Sequence, residues 1–281
     1  MIKIITDTTS GLPRHIAEAY DIPVLPQIVI FGEEAFRDDT ELDTQEFLRR
    51  LRSSPTLPKT AAPPPALFHP VFERLLAQGY RTLICLHPSS ELSGTVRSAT
   101  TAAQDFPDAD IRVVDTRTIA APLATVVILA ERWAREGVDA DTIIARVREM
   151  LARQRVYFVV DTLEYLHRGG RIGGAQALLG GLLQIKPILT LRDGRVEPFE
   201  KQRTQKRALE RLRELVLGEC PRRSEAYLAV MHADAEAQAR ALAEDFAAHL
   251  GIPEVPIYEL PPAIVTHAGP GVLAVSFFVP A

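Results

Sequence analysis

The stretch Thr82-Leu-Ile-Cys-Leu-His87 has six residues, most of them apolar, and is typical of a buried strand because it is too short for a buried helix. A polar loop at residues 88–93 follows it, and a helix is predicted at residues 94–106, where a proline ends it. A second apolar run at residues 111–115 predicts another strand. A strand, a helix and a strand in this order indicate a parallel strand pair with the helix packed on the sheet.

The same alternation fills the rest of the first half. Strands are predicted at residues 3–6 and 23–30, both rich in branched apolar side chains. One helix is predicted to begin after Asp43, which matches a capping box with Glu46, and another at Pro64, because proline is favoured in a first turn. Two further helices are predicted between about residues 119 and 155. This order predicts a mostly parallel sheet with helices on both faces.

The second half has a different pattern. The hairpin signal is Asp193-Gly194 between two apolar runs, because Asp-Gly suits a tight turn between antiparallel strands. Helices are predicted at residues 204–217 and 235–250, and strands at residues 226–231, 255–260 and 272–279. We therefore predict an α/β chain of two domains. Residues 1–155 form a domain with a mostly parallel sheet flanked by helices, and residues 156–281 form an α+β domain with a largely antiparallel sheet.

Composition excludes several classes of protein. The chain has 281 residues with 32 basic and 36 acidic side chains, and a net charge of −4 argues against nucleic-acid binding. The most apolar stretch, residues 119–130, is shorter than the roughly 20 residues that span a membrane. Cys85 and Cys220 form no CxxC pair, so neither a disulfide framework nor a zinc site is predicted. We expect a cytoplasmic protein with no metal and no stable membrane insertion.

Four small polar loops stand out, each at the end of a strand or the start of a helix. They are residues 6–11, 59–63, 89–95 and 266–271. In the third, several hydroxyls, Gly94 and a helix N-terminus together favour an anion site at the carboxyl end of a strand. The alternative is that these hydroxyls only cap the following helices. In the fourth, His267 lies among small residues that would let it face a ligand.

Two arginine-containing segments add positive charge. Flexible glycines flank Arg171 in Gly169-Gly-Arg-Ile-Gly-Gly174, which would expose its guanidinium to an anion. The alternative is a helix C-cap with a solvated arginine. Arg203 belongs to a group of four cations within residues 201–207, typical of a solvated helix face and also of a docking patch.

An enzyme is the alternative to a binding protein. The sequence has no phosphate loop ending in GK[ST], no G-x-S-x-G motif and no HExxH motif. Ser93 and His267 are the residue types of a hydrolytic dyad, for which Asp7 is the only candidate orienting carboxylate. The same loops would also suit a phosphotransferase acting on a small hydroxylated molecule.

Together these segments resemble the DegV family, and in particular its fatty-acid-binding (FakB-like) members, which are subunits of bacterial fatty acid kinase. The matching stretches lie in order over almost the whole chain. They are Thr6-Asp-Thr-Thr-Ser-Gly-Leu-Pro13, Lys59-Thr-Ala-Ala-Pro63, Ser89-Ser-Glu-Leu-Ser-Gly-Thr95, Val114-Asp-Thr116, Thr162-Leu-Glu-Tyr-Leu-His-Arg-Gly-Gly-Arg-Ile172, Lys186-Pro187 and His267-Ala-Gly-Pro-Gly271.

The resemblance implies that one long-chain fatty acid, such as palmitate or oleate, is held between the two domains. It implies that Thr60, Ser93 and His267 bind the carboxylate, with the backbone N–H of Gly94 as a further donor. No residue would be catalytic and no cofactor would be bound. A separate ATP-dependent kinase would convert the acid to its acyl phosphate for phospholipid synthesis. Arg171 and Arg203 are candidate contacts to that kinase or to an anion.

The chain departs from the family pattern near the expected site. Family members commonly have Thr-Ser-Gln-Pro where this chain has Thr60-Ala-Ala-Pro63, and serine with paired small residues where it has Thr116 and Ala120-Ala121. These changes would reshape the pocket wall and alter chain preference. The expected walls of the tail pocket are residues 119–130, a helix with Ala175, Leu178, Leu179, Leu182 and Leu183, and the last strand. The alternative is that these residues are ordinary core.

Overall fold

The computed structural model describes residues 1–179 and 185–280. Its contacts divide the chain into two compact units. The first is formed by Met1–Asp43 and Pro58–Ala152, and the second by Thr44–Leu57 and Arg153–Ala281. The segment Thr44–Leu57 therefore groups with the C-terminal half, although it lies early in the sequence. The predicted domain bounds, 1–155 and 156–281, place this segment in the N-terminal domain.

The helices and strands follow one another along the chain in this order. The first 152 residues form β1 (Ile2–Asp7), α1 (Arg14–Ala19), β2 (Val24–Leu25), β3 (Ile28–Phe31), β4 (Glu34–Arg37), α2 (Thr44–Ser53), β5 (Lys59–Ala61), α3 (Pro65–Ala77), β6 (Thr82–His87), α4 (Thr95–Ala103), β7 (Asp110–Asp115), α5 (Ala121–Arg135) and α6 (Ala140–Ala152). The described residues that follow form β8 (Gln154–Val159), α7 (Glu164–Arg168), β9 (Lys186–Arg192), β10 (Arg195–Gln202), α8 (Gln205–Glu219), β11 (Ala229–His232), α9 (Glu236–Leu250), β12 (Ile257–Glu259), α10 (Pro262–Ala268) and β13 (Leu273–Phe278).

The first unit is built on a parallel sheet in the order β2-β1-β6-β7. Strands β1, β6 and β7 run in register, so that their carboxyl ends meet at one edge of the sheet. Helices α3 and α4 contribute to a buried core with β1 and β6, and α5 packs against β1. The predicted mixed α/β architecture with a parallel sheet flanked by helices is confirmed.

The single strand predicted at residues 23–30 is wrong: the chain forms β2 and β3, which belong to different sheets. Pro26 interrupts the run because it has no N–H for a strand ladder. The N–H of Gln27 instead donates to Asp38 Oδ1 at 2.8 Å. Strand β3 then pairs with β4 and β5 in a small antiparallel sheet that the sequence pattern did not predict.

The second unit has a six-stranded sheet in the order β10-β9-β8-β13-β11-β12, antiparallel except for the β11–β12 pair. The predicted hairpin is confirmed, with positive φ at Asp193 and Gly194 as a primed turn requires. Strand β13 is buried along its whole length and pairs with β8 and β11. Helices α8 and α9 bury their apolar faces in the core of this unit.

A buried ion pair joins β1 to α5 in the first unit. Lys3 Nζ lies 3.0 Å from Glu131 Oε1, and both side chains are about 2% exposed. Lys3 also donates to the carbonyl of Tyr20 at 3.0 Å, and Glu131 Oε2 accepts from the N–H of Ile4 at 3.3 Å. The exposed carboxylate of Asp21 lies farther from Lys3 Nζ, at 3.7 Å. The bonds to Glu131 and to the backbone offset the cost of removing both buried charges from water.

We expect Glu131→Gln to lower the free energy of unfolding by about 3 kcal/mol, because the Lys3 ammonium loses its buried counter-charge and keeps only the exposed carboxylate of Asp21. The matched control is Glu18→Gln, which breaks the exposed Arg14–Glu18 pair and should cost under about 1 kcal/mol. Urea unfolding of the three proteins measures both losses. Equal losses in the two variants would contradict the assignment.

Candidate functional site

Three loops leave the shared edge of the parallel sheet and are bonded to one another. They follow β1, β6 and β7. The N–H of Ser89 donates to the carbonyl of Thr118 at 2.8 Å, and the N–H of Ala120 donates to the carbonyl of Thr9 at 2.8 Å. The loops are therefore one rigid polar layer at the carboxyl ends of the strands, the position where open α/β sheets bind ligands.

The serines of the loop after β6 have different roles. Ser89 Oγ accepts from the N–H of Glu91 at 3.2 Å, and Ser90 Oγ donates to Asp115 Oδ2 at 2.6 Å. These two hydroxyls stabilise the loop. Ser93 is partly exposed at the start of α4, and its Oγ lies 2.8 Å from Thr95 Oγ1. Ser93 is therefore the serine of this loop that is placed to meet a ligand.

The segment that contains Thr60 lies beside Gly94. Thr60 is on β5, opposite Val29 of β3, and is partly exposed. A Cβ on Gly94 would lie 3.6 Å from the Cβ of Ala62, in ordinary van der Waals contact. The turn at Gly94 thus contacts the chain at Ala62, two residues after Thr60.

A cluster of buried polar side chains lies beneath these loops. Asp7 Oδ1 accepts from the N–H of Thr9 at 3.0 Å, from Thr9 Oγ1 at 2.6 Å and from Gln27 Nε2 at 3.0 Å. Asp7 Oδ2 lies 2.7 Å from His87 Nδ1. Gln27 Nε2 also donates to Thr95 Oγ1 at 2.9 Å. The carboxylate considered from sequence as the orienting acid for His267 is thus paired with His87.

Sequence reasoning did not identify Gln27 or His87 as members of a polar cluster, and it placed Thr95 in the loop 89–95 without a role of its own. The available signal was a polar residue inside or at the end of an apolar run, as for Gln27 in residues 23–30 and His87 in residues 82–87. Most buried polar groups are hydrogen-bonded, so such a residue marks a polar network within the core.

His267 lies in the second unit, and the loop predicted for it is wrong. It belongs to the last turn of α10, which ends at Gly269 with a φ of 81°. Helix α10 packs against α7, and a Cβ on Gly169 would overlap the imidazole of His267 and lie 2.9 Å from the carbonyl oxygen of Tyr165. Glycine at residue 169 is therefore needed for close packing beside His267.

The electrostatic surroundings keep His267 neutral near pH 7. Burial, with a smaller contribution from the nearby charge of Arg171, lowers the pKa of His267 from 6.5 to about 4. Arg171 is itself partly buried and donates from Nη1 to the carbonyl of Gly169 at 2.7 Å. Burial lowers the pKa of the Arg171 guanidinium, which still remains charged.

The glycines after Arg171 are needed for packing. A Cβ on Gly173 would overlap the backbone of Val196, and one on Gly174 would overlap the carboxylate of Glu197. The sequence predicts these two glycines to be flexible flanks of Arg171. In the structure they allow the chain to pack closely against β10. Arg203 is exposed between β10 and α8.

The expected tail-pocket residues differ in burial. Helix α5, which covers most of residues 119–130, and strand β13 are largely buried. Ala175 and Leu178 are buried and Leu179 is 37% exposed. Leu182 and Leu183 lie outside the described residues. A continuous tail pocket stays a prediction.

Neither a metal centre nor a membrane span is found in the part of the chain that the structure describes. No group of three or more His, Cys, Asp or Glu side chains there is arranged to hold a metal ion. None of the helices described is long and apolar enough to cross a bilayer. Both cysteines are buried free thiols, and burial raises the pKa of Cys85 and raises that of Cys220 to about 12.

We expect stability to fall as the pH is lowered from about 6.5 towards 4, because the unfolded chain protonates His267 while the folded chain keeps it neutral. His267→Gln removes this titration. Between about pH 7 and pH 4.5, the free energy of unfolding should fall by about 2 kcal/mol more for the wild type than for the variant. Denaturant unfolding at each pH measures the difference, and parallel pH profiles would contradict the prediction.

Comparison with known proteins identifies the family. A family model described as an uncharacterised protein of the DegV family matches residues 1–279. A DegV domain-containing protein of Halalkalibacterium halodurans is 37% identical over 278 residues, which cover 99% of this chain and 98% of the relative.

Two solved structures share the fold over almost the whole chain. One is a DegV family protein from Thermus thermophilus whose description is of fatty acid binding. It has a TM-score of 0.87 and 33% identity, and the match covers 99% of each chain. DegV from Bacillus subtilis, described as a fatty acid binding protein, has a TM-score of 0.87 and 32% identity, again covering 99% of each chain. With the sequence match, this similarity shows that the chain belongs to the DegV family.

Proposed function

We propose that this protein binds one long-chain fatty acid, such as palmitate or oleate, through its carboxylate. The observation that carries the proposal is its similarity, at 33% and 32% identity, to the two DegV structures described as fatty acid binding. The residue types of the site support it, because the hydroxyls of Thr60 and Ser93, the N–H of Gly94 and the imidazole of His267 are all hydrogen-bond donors suited to a carboxylate.

The ligand's tail and head have different energetic roles in this proposal. A sixteen-carbon acid buries roughly fourteen methylenes at about 0.8 kcal/mol each, an upper bound of about 11 kcal/mol. Each charge-assisted hydrogen bond to the head contributes about 1.5–3 kcal/mol. The tail therefore dominates affinity, and the head group sets the orientation of the acid.

Neutral donors suit a carboxylate that is to remain reactive. An unpaired carboxylate out of water is prohibitively costly, so several donors must meet it. Neutral His267 donates one hydrogen bond without forming an ion pair, and the charge of Arg171 close to it makes the surroundings favourable for an anion. Thr60, Ser93 and His267 are the proposed side-chain donors to the carboxylate.

We further propose that the bound acid is presented to a separate ATP-dependent kinase, which forms the acyl phosphate for phospholipid synthesis. The sequence has no GK[ST] phosphate loop, which suits a carrier that leaves nucleotide binding to its partner. Exposed Arg203 is the proposed kinase contact, since a guanidinium recognises carboxylates and phosphates bidentately. The proposal places the protein in the cytoplasm, where the kinase has ATP.

Protein purified from its expression host should contain a fatty acid by mass spectrometry, and delipidated protein should rebind palmitate. We expect Ser93→Ala to weaken palmitate binding about 10- to 100-fold, because one charge-assisted hydrogen bond to the carboxylate is lost. Isothermal titration with delipidated protein measures the dissociation constant.

Ser90→Ala is the matched control in the same loop, because the Ser90 hydroxyl is bonded to Asp115. It should leave palmitate affinity unchanged. A wild-type protein that carries no lipid and does not bind palmitate or oleate would overturn the proposed function. Ester hydrolysis by the chain alone would favour the Ser93/His267 hydrolase instead.

Kinase docking is tested with Arg203→Ala in a reconstituted reaction containing a fatty acid kinase catalytic subunit, ATP and the palmitate-loaded protein. We expect acyl phosphate formation to be about tenfold slower with unchanged palmitate affinity, since an interfacial charge contact is lost. Exposed Arg222 provides the control variant, Arg222→Ala, which should keep the wild-type rate. An unchanged rate for Arg203→Ala removes this residue from the docking surface.

A further inference from the structure

A chain of side-chain hydrogen bonds leads from the interior of the first unit to Ser93. It runs from Asp7 Oδ1 to Gln27 Nε2 at 3.0 Å, from Gln27 Nε2 to Thr95 Oγ1 at 2.9 Å, and from Thr95 Oγ1 to Ser93 Oγ at 2.8 Å. Asp7 and Thr95 are fully buried, Gln27 is buried, and Ser93 is partly exposed. The last member of the chain is thus the proposed carboxylate ligand.

Asp7 fixes the orientation of the Gln27 amide. The Asp7 carboxylate accepts from the backbone N–H of Thr9 and from its hydroxyl, so it acts as an acceptor in this cluster. A glutamine oxygen facing it would repel it, and therefore the NH₂ group of Gln27 must face Asp7. Both N–H bonds of this group are then used, one to Asp7 and one to Thr95.

The direction of the remaining bonds follows. Thr95 Oγ1 accepts from Gln27, and within the described chain the other oxygen in hydrogen-bond reach of it is Ser93 Oγ. The Thr95 proton is therefore donated to Ser93. Ser93 Oγ also lies 3.4 Å from the N–H of Thr95, so both of its acceptor positions face Thr95. Its own proton is left for the exposed side.

We propose that Gln27 and Thr95 are positioning residues that hold the Ser93 hydroxyl as a hydrogen-bond donor and thereby make the site select an ionised carboxylate over a neutral head group. The inference rests on the proposed function, because it needs a ligand at Ser93. A carboxylate only accepts, and its bond to a fixed donor is charge-assisted, whereas an alcohol forms the weaker neutral bond. Without Thr95, the Ser93 hydroxyl rotates freely and this preference falls.

The test compares palmitate with hexadecanol, which has the same chain length and a neutral head. We expect Thr95→Val, which keeps the side-chain shape without the hydroxyl, to weaken palmitate binding about tenfold and hexadecanol binding less than about twofold. Thr95→Ser restores the hydroxyl and should recover most of the wild-type ratio of the two dissociation constants. Competition with a fluorescent fatty acid measures both constants.

Thr100→Val on the same helix is the matched control, because the Thr100 hydroxyl is bonded to the carbonyl of Val96. It should leave both constants unchanged. Gln27→Met breaks the hydrogen-bond chain at a second point and should lower the acid-to-alcohol preference as well.

The inference is overturned if variants at Thr95 and Gln27 keep the wild-type ratio of the two dissociation constants, whether both affinities stay unchanged or fall equally. A wild-type protein that binds neither ligand contradicts the proposed function itself, and the two failures are thereby distinguished.

Discussion

A carboxylate buried away from water must have its oxygens satisfied by donors, and at Asp7 this requirement organises the edge of the parallel sheet. Its partners come from the loop after β1, from the break between β2 and β3, and from the end of β6. Because each partner is held by a different element, the loops cannot shift independently. The geometry of Ser93 at the surface therefore depends on an acid in the interior.

The same requirement separates the serines of the hydroxyl-rich loop after β6 into two groups. Ser89 and Ser90 are used within the fold, where they bond Glu91 and Asp115, whereas Ser93 is bonded through Thr95 to the buried network. The first two serines stabilise the loop without capping α4, and Ser93 is the proposed ligand-binding serine of the same segment. The three residues are all serines, so it is their hydrogen-bond partners that distinguish the loop-stabilising serines from the proposed ligand-binding one.

In the second unit, the surroundings of His267 keep its imidazole uncharged. His267 lies at the end of α10 against α7, and the absence of a side chain at Gly169 allows the two helices to meet there. Burial and the charge of Arg171 disfavour the imidazolium form. Glycines that suggest flexibility in the sequence are, at residues 169, 173 and 174, conditions for close packing.

The sequence by itself determined the mixed α/β class, the Asp193-Gly194 hairpin and the DegV resemblance, because strand length, turn chemistry and ordered motifs are local properties of the chain. It did not determine the break at Pro26-Gln27, the helical setting of His267, the grouping of Thr44–Leu57 with the C-terminal unit, or the partners of Asp7. Those depend on which distant residues satisfy a buried polar atom or fill a space. Only the tertiary structure brings such residues together.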